Sequence, residues 1–233
     1  MKVTTLSVFA LLLIATIANA QETPTVKEVT GADDLVKEKG YFAGTWVHPD
    51  ADITQYSKLY PWNAEFQFRD VGETRSTAST SASLDSSGPY AISDEAKAQF
   101  EEIVKDSFVK ALGQSKRFEV VDQVGPDTLI VRAALLDIIS VVPPKTTGVH
   151  DVHLSAVGEA TFVFELIDAE TGVIQARVAE RRRIQPKSAM GTVSTVPTTS
   201  ATVWSDVKLW ANQVGQDLRR TLEKAKKKAE KSK

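Results

Sequence analysis

The chain has 233 residues, of which 42% are hydrophobic and 25% charged, with a formal net charge of −2 and no cysteine. That composition belongs to a folded globular protein rather than a disordered one, and the length suits one core of ordinary size. The missing cysteines exclude a disulfide framework, a thiolate zinc site and a cysteine nucleophile.

Residues Met1 to Ala20 carry the three parts of a secretory signal: a basic start at Lys2, an apolar run from Leu6 to Ala18, and the small-x-small ending Ala18-Asn19-Ala20. Cleavage after Ala20 is expected, which places the mature chain in the periplasm. The apolar run is shorter than the roughly 20 residues that cross a bilayer, and no later segment approaches that length. No cysteine follows Ala20 to take a lipid anchor. Gln21 to Lys39 is polar and weakly patterned, a flexible leader to a single α+β domain over 40–227 that ends in a basic tail at 228–233.

From Tyr56 to Val71 an aromatic-rich, alternating stretch predicts a first strand, limited in its pairing by Pro61. Ser76 to Gly88 is a low-complexity Ser-rich loop. From Ser93 to Gly113 the period changes: Ala96, Phe100, Ile103, Val104, Phe108, Ala111 and Leu112 recur at spacings of three and four, which predicts an amphipathic helix. Ser93 is its expected N-cap, and Gly113 is expected to end it in the left-handed conformation.

A short strand follows at Phe118 to Val121, then a turn at Gly125-Pro126-Asp127. Leu129 to Val142 is a long strand whose nearly unbroken apolarity predicts burial on both faces. Ala160 to Ile167 and Val173 to Ile184 flank Ala169-Glu170-Thr171-Gly172, a hairpin with Gly172 at positive φ. Arg181 and Arg183 alternate onto one face and Arg182 onto the other, the simplest reading being charge protection of an edge strand. A final amphipathic helix runs from Val203 to about Lys227, with Trp210 in the apolar stripe and Trp204 off it. The sum is a two-layer sandwich: a mixed five-stranded sheet with two amphipathic helices packed on one face.

If the first helix is a crossover between parallel strands and later strands reverse, the loops 143–157 and 185–202 leave the sheet at one end. The segment Tyr41 to Gln55 is expected there too. Such a gathering of long loops is a candidate contact surface, with Trp46, His150, His153, Val196 and Trp204 as its expected contacts.

Chemistry beyond contact has little to work with. No nucleophile elbow, zinc-protease helix or phosphate-cradling glycine loop is present, and no cofactor motif. The expectation is therefore a non-enzymatic protein. The pairs His150/His153 and His48 with Asp50 and Asp52 fall short of the ligand count of a zinc or calcium site, although a small-ligand or metal carrier is the alternative they motivate. Arg219 to Lys233 holds eight Lys or Arg against Glu223 and Glu230, so the tail is basic and the remainder acidic. A nucleic-acid binder would spread its basic residues over the body, so no nucleic-acid partner is expected.

Two segments, RFEVVDQVGPDTLIVRAALLDI at 117–138 and VGEATFVFELIDAETGVIQARVAERRR at 157–183, resemble the bacterial domain of unknown function 3313 family. The likeness lies in an F-x-V-V-D and G-P-D-x-L strand pair followed by a hairpin of the form E-L-x-D-A-x-T-G. It implies an envelope protein, secreted or lipid-anchored, with no established activity. The partner it implies is another envelope component, and no lipid anchor is expected where Gln21 stands in place of the cysteine seen in many members.

Overall fold

In the computed structural model the described residues are 34–71, 89–143, 152–187 and 196–232. The signal segment, most of the leader, the Ser-rich loop and His150 therefore lie outside them. Eight strands form one mixed sheet: β1 (Val36–Lys37), β2 (Gly44–Val47), β3 (Lys58–Pro61), β4 (Glu65–Phe68), β5 (Glu119–Val120), β6 (Thr128–Ser140), β7 (Gly158–Asp168) and β8 (Ile174–Ile184). Two long helices, α1 (Asp94–Leu112) and α2 (Ser200–Ser232), complete the α+β architecture.

The strand order is β1-β2-β8-β7-β6-β3-β5, with β4 also paired to β6. Three strands exceed the expected five for two physical reasons. The stretch read as one strand is two: β3 pairs with β6 over Thr128–Val131 and β4 pairs with it over Ala134–Ile138, both parallel. Between them the chain leaves the ladder at Trp62 to Ala64, directly after the proline. At the other edge β2 and β1 add to β8, both antiparallel. These strands are too short for alternation to show, and β1 lies inside the segment expected to be a flexible leader. At the opposite terminus α2 continues through the segment expected to be a basic tail.

Register assigns the faces. Leu135 pairs with Phe66 and Phe162, and Ala133 with Phe164, so these side chains share one face with Leu129, Val131 and Val178. Both helices pack there. Phe108 of α1 meets Phe164 edge-on with ring centroids 5.3 Å apart, and Phe100 stacks against Phe66, Phe68 and Trp210 of α2. Gly215 permits the close crossing of the helices, since a Cβ there would stand 2.8 Å from the Cβ of Ala111. Phe162, Phe164, Leu129 and Leu135 are sealed from solvent at the centre of this layer, where truncation to alanine typically costs about 3–5 kcal/mol for a phenylalanine.

The reverse face carries no helix, which corrects the expectation that β6 is buried on both sides. It is laced by charge. Glu165 is only 7% exposed and accepts from Arg132 on one side and Arg177 on the other. Asp137, at positive φ in a bulge of β6, accepts from Arg69 and Arg181, and Arg181 also reaches Glu159. Hydrogen bonds from Arg69 hold the Asp137 carboxyl below the usual carboxylate range against the burial that would raise it, with Arg181 adding to the effect. Arg182 points to the helical face, where it binds Glu180 and, at 2.7 Å, Asp217 of α2. β2 pairs with β8 only over Ala176–Ala179, so the three arginines lie past its end, where they tie β8 to β7, β6 and α2.

Ser93 caps α1 by accepting from the Ala96 amide, as its position predicts. Gly113 ends the helix at φ −62°, not in the left-handed region expected of it. The hairpin glycine does turn as predicted, Gly172 having φ +72°.

Candidate functional site

The sheet has two unlike ends. At one, Ser140 pairs with Gly158 and Gly158 with Ile184, so the loops after β6 and β8 leave together. Gly158 is needed for that approach, because a Cβ would lie 2.5 Å from the Ile139 carbonyl. The described parts of the two loops are pinned to each other by the Thr198 amide, which donates to the Val152 carbonyl at 2.7 Å. This is the loop pole. Two of the three segments expected there do meet.

The third does not. A strand parallel to β6 must enter where β6 begins, so the segment leading from Tyr41 to Gln55 finishes at the opposite, hairpin pole. Trp46 pairs in register with Arg177 on the helix-free face, and the His48 amide donates to the Gln175 carbonyl. Trp46 is thereby removed from the contact surface. His48 and His153 stand at opposite poles, and His48 Nδ1 and Asp52 Oδ1 are engaged within their own turn by the amides of Asp50 and Thr54. Among the described residues no cluster of three or more His, Cys, Asp or Glu is placed to hold a metal.

Between the start of α1, the start of α2 and the loop pole lies a cavity of about 650 Å³. Phe68, Ile92, Phe100, Val157, Val203 and Trp204 are among its walls, and none of the described residues lining it is ionisable. Three of its hydroxyl groups are engaged locally. Ser93 caps α1, the Ser140 hydroxyl accepts from the Val142 amide, and that of Thr199 accepts from the Thr202 amide as α2 begins.

Of the residues expected from sequence, Trp204 lines this cavity, half-buried, while His153 next to Val152 and Val196 beside Thr198 are exposed at the same pole. What sequence reasoning missed is the contribution of Phe68, Ile92 and Val152. Ile92 directly precedes the N-cap of α1 and Phe68 ends an interrupted strand, so the visible signal was apolar residues placed at element ends where solvent would be expected. A neighbouring recess holds Asp206, 8% exposed, whose carboxylate accepts from the Lys187 amide at 3.2 Å. Burial pushes that carboxyl up, and the single amide only partly opposes it.

The family profile of a protein of unknown function, DUF3313, matches residues 32–218. The chain belongs to the DUF3313 family. No curated protein matches this DUF3313 chain. Among solved structures it is similar to a Xanthomonas campestris protein of the DUF330 family at 14% identity and a TM-score of 0.45, covering 79% of this chain and 93% of that one. A Helicobacter pylori homologue of a neuraminyllactose-binding hemagglutinin follows at 10% identity and TM-score 0.38, over 77% and 95% of the two chains. The PelC dodecamer of Paraburkholderia phytofirmans gives 13% identity and TM-score 0.33, over 78% and 96%. Among the described residues no helix is long and apolar enough to cross a membrane.

Proposed function

We propose that this DUF3313 protein is an exported, non-enzymatic binding domain of the bacterial periplasm, and that it contacts another envelope component through its loop pole. The observation that carries the reading is the cavity of about 650 Å³ at that pole, of ligand-site size and without an ionisable side chain among the described residues of its lining. Those described walls supply neither a general base nor a charged electrophile, which favours binding over turnover. The signal-like start at 1–20 supports export. A metal carrier is the weaker reading, because its candidate ligands are split between poles.

Photo-crosslinking in the native cell, from benzoylphenylalanine placed at Val152 or Trp204 and, as controls, at Thr171 and Trp46, tests the contact surface. Capture of an envelope component from the first pair alone is the expected result; capture mainly from the hairpin pole would refute it. Mass measurement of the secreted form checks the address, the expected mature chain starting at Gln21.

A further inference from the structure

We infer that the loop-pole cavity takes a hydrocarbon chain, the single acyl chain of a lipid, with its head group left at the mouth. The inference deepens the binding role proposed above and rests on it. Three observations lead to a hydrocarbon occupant. First, in a chain one quarter charged, none of the described residues lining the cavity is charged, so the buried part of a complementary ligand carries no charge either. Second, the hydroxyls of Ser93, Ser140 and Thr199 already accept from backbone amides of their own segments, which leaves less acceptor capacity for a ligand rich in donors. A peptide brings such groups with every residue; an alkyl chain brings none.

Third, the size fits. At about 650 Å³ the space is much larger than one inserted side chain needs and falls within the range of about 300–1,000 Å³ usual for small-molecule sites. Water lying against Ile92, Ile138, Val157, Ile184 and Val203 would find few partners there, so its displacement from that part of the wall by methylene groups is favourable. The hydroxyl-bearing residues Thr198, Thr199 and Ser200 come from the loop entering α2, which places the polar head on that side.

The test uses the mature chain and cis-parinaric acid, whose excitation by energy transfer from the protein's tryptophans reports its binding. Saturable one-to-one binding is expected, displaced by palmitate and by palmitoyl lysophosphatidylcholine alike. Competing alkanoates should lose about tenfold in affinity for each two methylenes removed. Ala96→Phe and Val203→Phe, which fill the cavity from α1 and α2 respectively, should each weaken binding at least tenfold, while Trp62→Phe on the far side of the break in the edge strand should not. Circular dichroism identifies either filling variant that fails to fold, leaving the other to decide. No saturable binding, displacement that ignores chain length, or full binding in folded cavity-filled variants would overturn the inference. If acyl probes fail while crosslinks from Val152 still capture an envelope protein, the hydrocarbon assignment falls and the binding role stands; if neither gives a signal at this pole, both fall.

Discussion

The hairpin pole and the loop pole are built on the same strands yet sealed by opposite chemistry. At the hairpin pole polar contacts tie together segments distant in sequence. The Tyr56 hydroxyl donates to Asp168 at 2.6 Å, and the other Asp168 oxygen takes the amides of Glu170 and Thr171. Lys226, buried near the end of α2, donates to the carbonyls of Tyr56 and Arg117 with its ammonium 4.7 Å from the centre of the Phe118 ring. Glu223 accepts from the Lys116 amide and the Ser115 hydroxyl. At the loop pole the hydroxyls of Ser93, Ser140 and Thr199 serve their own segments and the described walls are uncharged and mostly apolar. One end spends its polar groups on closure; the other leaves room.

That contrast makes the largest expected effect a loss at the closed end. Lys226→Ala takes its donor from the buried Tyr56 carbonyl and the half-buried Arg117 carbonyl and should lower the unfolding free energy by about 2–4 kcal/mol in urea titrations. Tyr56→Phe, which removes the half-buried bonds to Asp168 and from Gln55 and leaves the ring, should cost about 1–2 kcal/mol by the same measurement. Losses much smaller than these would mean that the hairpin pole is not the clamp its contacts describe.

Titration sharpens the comparison because the two poles shift carboxyl groups in opposite directions. Burial raises Asp168, but the Tyr56 and Thr171 hydrogen bonds outweigh it and its pKa lies below the ordinary value. Its contribution to stability is therefore full above the unfolded carboxylate range near 3.9 and is lost as the pH falls through the lower folded value. Asp206 has a raised pKa, so its carboxylate opposes folding at neutral pH and that penalty disappears as the pH falls through the raised value. Asp168→Asn should flatten the acid limb of the stability profile. Asp206→Asn should leave that limb and raise stability near pH 7, as followed by thermal melts from pH 2 to 8.

The smallest effect belongs to the hollow end. Ala96→Leu puts apolar volume into the cavity and should change stability by less than about 1 kcal/mol, toward stabilisation. A loss of several kcal/mol would show that the space is smaller than its walls define.

How much of this was legible depends on length of pattern. The helices, β6 and the β7–β8 hairpin repeat their apolar residues often enough for period to identify them, and Trp210 could be assigned to the core and Trp204 outside it from helical phase alone. β1 and β2 could not be, since two and four residues establish no period, although Thr45, Trp46 and Val47 are strand-favouring types. The misplacement of Trp46 followed from assigning the segment before β3 to the wrong pole. A parallel partner begins where β6 begins, and that rule of direction was available in the strand order itself. The cavity was legible only as a gathering of loops, because its walls come from six separate elements whose apolar ends look solvent-exposed in isolation.

The 33 residues of α2 span about 50 Å at 1.5 Å each, beginning in the cavity wall and reaching the Lys226 clamp. A single rod thus serves both ends of the sheet, so a change in its tilt at one end is carried to the other.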